Sequence, residues 1–214
     1  MSRRDSEPSE TRAESEARTE DEAARWRVFF AVELPRSVRE SAGEHLSHLR
    51  ARAPQVRASW ERPEKMHVTL KFVGEVALQR IEELKRAAGE AVADVSPFEL
   101  KIEGTGAFPP RGEPRVLWLG VTDASGELSR LQARLEEACA REGFKREQRA
   151  YRPHLTVARL RSPTGTRTLA ALHRESAFET EPFTVSELVL VRSQLSPAGS
   201  VYTTVSRHAL NAVA

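Results

Sequence analysis

Two histidines, His67 and His154, each stand two residues ahead of a threonine, in the segments His67-Val-Thr-Leu and His154-Leu-Thr-Val. Both segments read as β-strands, in which side chains at i and i+2 point the same way. His67 therefore shares a face with Thr69, and His154 with Thr156. Val68 and Leu70 take the opposite face of the first strand, Leu155 and Val157 that of the second. The apolar partners can anchor each strand on a core while imidazole and hydroxyl are presented together. One His-x-Thr in a strand carries almost no information. Two, each in an otherwise apolar strand, carry much more, because a polar group on a central strand needs a partner or a function.

Imidazole has an unperturbed pKa of about 6.5, so both of its protonation states are accessible near neutrality. One neutral histidine can act as a base while a cationic one acts as an acid. Two threonine hydroxyls can donate hydrogen bonds to phosphate oxygens, where charge must be stabilised. Such a set suits opening a cyclic phosphodiester: one imidazole takes a proton from water and the other gives one to the departing sugar oxygen. That chemistry calls for no metal and no cofactor.

The elements around these strands follow from periodicity. Residues 28–34 (VFFAVEL) are apolar on both faces and end at Pro35, as a central strand would. Residues 36–50 then place Val38, Ala42, Leu46 and Leu49 on one helical stripe. A short strand is predicted at 56–60, and Pro63 breaks the chain before the strand 67–73, which stops at Gly74. Residues 78–93 form a helix with Ile81, Leu84, Ala88 and Val92 on one side. Strands follow at 98–108 and 115–121, separated by the loop PPRGEP. The second half repeats the theme. A helix at 125–142 buries Leu128, Leu131, Leu135 and Ala138, and Gly143 sits where a C-terminal cap belongs. The strand 154–160 follows, then a short helix at 166–176 and strands at 183–192 and 200–208 joined by the turn 196–199.

The two His-x-Thr segments lie 87 residues apart, each just after a proline-containing turn. This reads as an internal duplication. The expected architecture is α+β: two pseudo-symmetric lobes, about 26–120 and 121–210, with room for strand exchange between them. Antiparallel-rich sheets surround a central cleft and helices cover the outer faces.

Composition narrows the function classes. The chain has 214 residues and a net charge of +2. Residues 1–25 hold eight acidic residues and five arginines, so the remainder carries 28 basic and 23 acidic residues, a net of +5. That bias suits an anionic ligand and falls far short of the basic stripe of a duplex-binding protein. Residues 1–25 have too little apolar surface to offset ordering entropy and read as a disordered tail. No run of about 18 apolar residues occurs, which argues against a membrane helix. The N-terminus lacks the apolar run of a secretory signal. With the single Cys139 ruling out an internal disulfide, the expected compartment is the cytoplasm, and the expected state a monomer without membrane contact.

Four segments together resemble the bacterial and archaeal RNA 2′,3′-cyclic phosphodiesterases, or 2′-5′ RNA ligase-like proteins, of the two-histidine phosphoesterase superfamily. They are RVFFAVELP (27–35), MHVTLKFVGEV (66–76), RPHLTVAR (152–159) and SQLSPAGSVYTTV (193–205). The resemblance spans about residues 27–208. It implies a two-lobed α+β fold and hydrolysis of RNA 2′,3′-cyclic phosphate ends to 2′-phosphates. His67 would be the proton donor to the leaving 3′ oxygen and His154 would activate water. Thr69 and Thr156 would hold the phosphate. Arg159, five residues past His154, falls where the family often has an arginine near the substrate; it could fork onto phosphate or stack on a base. An ordinary exposed strand end is the other reading of Arg159. The partners implied are RNA termini or oligonucleotides bearing the cyclic phosphate. A 2′-5′ RNA ligase, a 2′-5′ phosphodiesterase and a non-hydrolytic RNA-end-binding module stay open as alternatives.

Other candidates are set aside. His45 and His48 lie in the first helix with no third metal ligand nearby. His173 and His208 read as surface or structural residues, and Cys139 lacks a base partner. Gly104-Thr-Gly106 is too short for a dinucleotide loop, and no GxxxxGK[ST] exists. Trp60 and Trp118 read as core. Phe29, Phe30 and Phe72 could wall the cleft and stack on a base or pack in the core.

Overall fold

The computed structural model describes residues 24–197 and 199–211. The expected tail falls outside the described residues except for Ala24 and Arg25. The Ala24 carbonyl accepts the N–H of Leu78 at 3.1 Å, and Arg25 already opens the first strand. The element order is β1 (Arg25–Glu33), α1 (Arg36–Arg52), β2 (Ala58–Trp60), β3 (His67–Ala77), α2 (Ile81–Val92), β4 (Phe98–Phe108), β5 (Val116–Thr122), α3 (Glu127–Arg141), β6 (His154–Leu160), α4 (Thr166–Glu175), β7 (Phe183–Val185), β8 (Glu187–Ser196) and β9 (Gly199–Ala209). The strands form two antiparallel sheets, one ordered β3-β1-β8-β9 and the other β2-β6-β5-β4-β7. Each sheet draws strands from both halves of the chain. The α+β class is as expected from the sequence. No helix among the described residues is long and apolar enough to cross a membrane.

The continuous apolar run of β1 makes it an inner strand, buried on both faces. Val28, Phe30 and Val32 enter the main core, while Phe29 and Ala31 face the other way with Val189 and Val191. The helices bury the stripes that their spacing predicts: Val38, Ala42, Leu46 and Leu49 in α1, and Leu128, Leu131, Leu135 and Ala138 in α3. Helix α3 closes with a paired cap, in which Phe144 donates to the Cys139 carbonyl and Gly143 to that of Ala140, each at 2.9 Å. This is the Schellman pattern expected around Gly143.

Two elements differ from the sequence reading. Strand β3 does not stop at Gly74. It continues to Ala77, with Val73 bulged and Gly74 at φ 90°; glycine adopts that conformation without a Cβ clash, so here it bends a strand instead of ending it. The single strand expected at 183–192 is two strands in different sheets. β7 pairs with β4, and β8 pairs with β1 and β9. The chain crosses between sheets at Ser186, whose carbonyl accepts the N–H of Leu210 at 2.8 Å. The apolar pattern hides this crossing because Phe183, Val185 and Leu188 are buried on both sides of it. Part of the 196–199 turn lies outside the described residues, though Ser196 and Gly199 pair directly.

Candidate functional site

The strands carrying the two histidines belong to different sheets, β3 at the edge of one and β6 second in the other. They run close enough that Cα atoms of β3 and β6 lie within 8 Å of each other. The segment just before β6 is tied to β3: the Tyr151 hydroxyl donates to the Thr69 carbonyl at 3.1 Å. Val68, Leu70, Leu155 and Val157 are buried in the core, and His67, Thr69, His154 and Thr156 occupy the alternate, half-buried positions. Among the described residues neither threonine hydroxyl is engaged by another protein group.

Both imidazoles are anchored in the same way. His67 Nδ1 lies 2.7 Å from the Lys65 carbonyl, and His154 Nδ1 lies 2.8 Å from the Arg152 carbonyl. A carbonyl only accepts, so in each ring Nδ1 carries the proton. The backbone two residues upstream thereby orients each ring and leaves Nε2 as the nitrogen free to exchange a proton.

The surroundings of the two rings differ. His67 stacks on Phe29 at 4.7 Å between centroids, and Tyr202 stands edge-on to it at 5.4 Å. Tyr202 also packs edge-on against Phe29 at 5.3 Å. Burial pushes the His67 imidazole below its ordinary value, only partly opposed by the Lys65 carbonyl and the Glu33 charge. His154 instead meets the ring of Phe108 edge-on at 5.2 Å, and Gly120 lies opposite it in the ladder. Phe108 leans on Trp118 at 5.4 Å. Trp118 pairs with Thr156 and with Gly106, so its indole belongs to the cleft face. Its assignment to the core is thereby corrected. Trp60 packs against the core as expected.

Arg159 reaches the cleft face through a bulge. Strict alternation would put it opposite His154. In the β5–β6 ladder, however, Trp118 pairs with Thr156 and Leu117 with Ala158, so Val157 is an extra residue. Val157 and Ala158 both turn inward and are fully buried, and Arg159 emerges beside His154 and Thr156. Strand β3 carries the same device. Ala31 pairs with Thr69 and Phe30 with Lys71, leaving Leu70 bulged. Lys71 turns inward, and Phe72 emerges on the face of His67 and Thr69, 65% exposed. Positions five beyond each histidine are therefore equivalent, and one holds an aromatic ring where the other holds a guanidinium. The three phenylalanines separate accordingly: Phe30 is core, Phe29 is buried beneath His67, and Phe72 is free at the cleft surface.

Several neighbours went unnoticed in the sequence. Tyr202 sits among charged groups at the cleft; burial raises its phenol pKa, nearby Glu61 adds to the rise, and Arg159 and Arg27 oppose it. Burial likewise raises Glu61, against Lys65 and Arg159. Lys65, whose carbonyl orients His67, also donates from Nζ to the Ser200 carbonyl, tying the β8–β9 hairpin to that histidine. The residues set aside earlier stay away from this site. His45 Nε2 bonds His173 Nδ1 at 3.0 Å, and His173 Nε2 donates to the Trp118 carbonyl at 2.9 Å. His173 is fully buried, so it is structural and not a surface residue. Burial drives the Cys139 thiol up to about 12, which suppresses the thiolate.

The sequence matches the 2′-5′ RNA ligase superfamily over residues 34–196. It is 36% identical to the RNA 2′,3′-cyclic phosphodiesterase of Methanothermobacter thermautotrophicus, over 83% of this chain and 95% of that protein. It is 35% identical to the protein of the same name from Archaeoglobus fulgidus, over 82% of this chain and 96% of that one. Among solved structures, TT0787 of Thermus thermophilus superimposes with a TM-score of 0.73 at 27% identity, covering 87% of this chain and 98% of its own. E. coli LigT complexed with 3′-AMP gives a TM-score of 0.68 at 26% identity, covering 87% and 99%.

Proposed function

The chain belongs to the 2′-5′ RNA ligase superfamily, and from that premise we propose that it hydrolyses RNA 2′,3′-cyclic phosphate ends to 2′-phosphomonoesters by a metal-independent, two-histidine mechanism. The observation that carries this reading is the matched anchoring of His67 and His154, each with Nδ1 held by the backbone and Nε2 left free, on strands that approach within 8 Å.

In this mechanism the cyclic phosphate lies between the two strands, and the hydroxyls of Thr69 and Thr156 donate to its non-bridging oxygens. Neutral His154 takes a proton from water through Nε2 as the water oxygen bonds to phosphorus. Cationic His67 delivers the Nε2 proton to the 3′ oxygen as its bond to phosphorus breaks. The phosphate remains on the 2′ oxygen. Burial disfavours the cation of His67 in the free protein, so the donor role depends on the substrate's own anion stabilising the imidazolium. Arg159 and Phe72, at equivalent positions of the two strands, flank the phosphate site. Each offers a flat surface on which the terminal base can stack.

The test is an RNA oligonucleotide ending in a 2′,3′-cyclic phosphate, incubated with the protein in excess chelator. Turnover with the phosphate mapped to the 2′ position is expected, and the same product analysis separates hydrolysis from 2′-5′ joining. His67→Ala and His154→Ala should each slow the reaction by about 10²–10⁴ while far-ultraviolet circular dichroism stays that of the wild type. Full activity in either folded variant refutes the mechanism.

A further inference from the structure

Two imidazoles that act on one phosphorus must keep a fixed separation, yet they come from separate sheets that share no ladder at β3 and β6. The connector between α3 and β6 delivers His154, and it is fastened to β3 along its length. At its start, Lys71 on β3 donates from Nζ to the Lys145 carbonyl at 2.9 Å and to Glu136 Oε2 at 2.6 Å. The same carboxylate accepts the N–H of Glu147 at 3.3 Å. At its end, the Tyr151 hydroxyl donates to the Thr69 carbonyl at 3.1 Å. Burial raises the phenol pKa, which keeps it a neutral donor.

The placement of the last bond gives it its significance. Thr69 belongs to the first motif, and its peptide carbonyl is the acceptor. Tyr151 stands three residues before His154 and one before Arg152, whose carbonyl orients the His154 ring. A single hydrogen bond therefore joins the peptide of one phosphate-holding residue to the segment that aims the other histidine. The tie reaches the backbone of the first motif, so it holds whichever rotamers the site side chains adopt.

We propose that Tyr151 is a positioning residue for the reaction, setting the separation of the His67 and His154 nitrogens through the Thr69 carbonyl, with the Lys71–Glu136 pair fixing the far end of the same connector. This role rests on the proposed phosphodiesterase activity. The ring of Tyr151 packs against the core, so Tyr151→Phe keeps the packing and removes only the bond.

Misplacing reacting groups by a fraction of an ångström is felt in the transition state far more than in substrate binding. Tyr151→Phe should therefore lower kcat by about tenfold, on the scale of about 10²-fold for a full 1 Å misplacement, with KM changing by less than about twofold. The measurement is steady-state hydrolysis of the cyclic-phosphate oligonucleotide at 25 °C, with the folded fraction of each protein determined from its melting curve. A second variant, Lys71→Met with Glu136→Leu, removes both charges together and should show a smaller kcat loss with the same split. The proposal is overturned if Tyr151→Phe turns over like the wild type, if its loss merely tracks the unfolded fraction, or if KM rises while kcat holds. An inactive wild type would overturn the proposed function first, and this role with it.

Discussion

Removing the buried ammonium of Lys71 while leaving its partner in place is the sharpest test of how the core supports the site. The Lys71 side chain is 2% exposed and that of Glu136 12%, and their charged atoms lie 2.6 Å apart. Lys71→Met preserves most of the buried volume, so little of its effect comes from a cavity. What remains is a carboxylate without its cation and a Lys145 carbonyl without its donor. Breaking one side of a buried pair costs about 3–5 kcal/mol. The bonds that Glu136 keeps, from Glu147 N–H at 3.3 Å and Gln132 Nε2 at 3.4 Å, are long and offset only a part. For a domain of this size the loss should lower Tm by about 6–20 °C. Replacing both partners, as Lys71→Met with Glu136→Leu, removes the uncompensated charge, and its stability should return to within about 1–2 kcal/mol of the wild type. Urea unfolding followed by circular dichroism measures both, with an unchanged m-value as the check that the native state is the same. A single variant within about 1 kcal/mol of the wild type would refute the burial argument. So would a double variant as unstable as the single one.

Two further outcomes follow from the site itself. As the donor, His67 must be cationic, and burial holds its pKa in the free protein below the usual value of about 6.5. Activity requiring that cation is lost as pH rises through the lowered pKa, whereas a bound phosphate anion raises it. The alkaline limb of kcat/KM should therefore lie at lower pH than that of kcat, and limbs that coincide or reverse would remove His67 from the donor role. At Gly106 a Cβ would sit 2.1 Å from Trp118 Cζ2, and displacing the indole disturbs Phe108, which stands against His154. Gly106→Ala should destabilise by about 1–3 kcal/mol and slow turnover. Gly89→Ala, in open space on α2, should instead stabilise by about 0.5–1 kcal/mol. Melting curves and turnover measured on both decide it, and equal behaviour contradicts the close-packing argument.

Much of this molecule is readable from periodicity because burial is one-sided in its helices. Every residue expected on the stripes of α1 and α3 is buried, and β4 and β6 have the predicted bounds. Where burial is two-sided the pattern loses its information. Residues 183–192 look like one strand because an apolar side chain is needed on either sheet, and only the pairing of β7 with β4 and of β8 with β1 and β9 reveals the crossing. One cleft wall was hidden for a related reason. Trp118 is large and apolar, as core residues are, and only its cross-strand partners Gly106 and Thr156 show which face it takes. Tyr151 and Lys65 gave no signal, because their roles depend on contacts with Thr69 on β3 and Ser200 on β9, 82 and 135 residues away.

The bulges at Leu70 and Val157 bear most directly on how the two histidine strands correspond. Alternation alone would place Phe72 and Arg159 on the core side, with Val68 and Leu155, where a guanidinium would be prohibitively costly to bury unpaired. One extra residue in each strand reverses both side chains and turns Lys71 and Ala158 inward instead. A bulge re-aims everything beyond it while leaving the preceding register intact, so the spacing from histidine to threonine survives. The scaffold is thus repeated, but its contents are not. Of the inward positions, one holds a charged pair that fastens the connector and the other an alanine. Of the outward positions, one holds an aromatic ring and the other a cation. Of the two imidazoles, one is stacked on a phenylalanine and the other meets a single ring edge. The repeated strands thus give the two imidazoles unlike surroundings, and the proposed assignment of donor and acceptor turns on that difference.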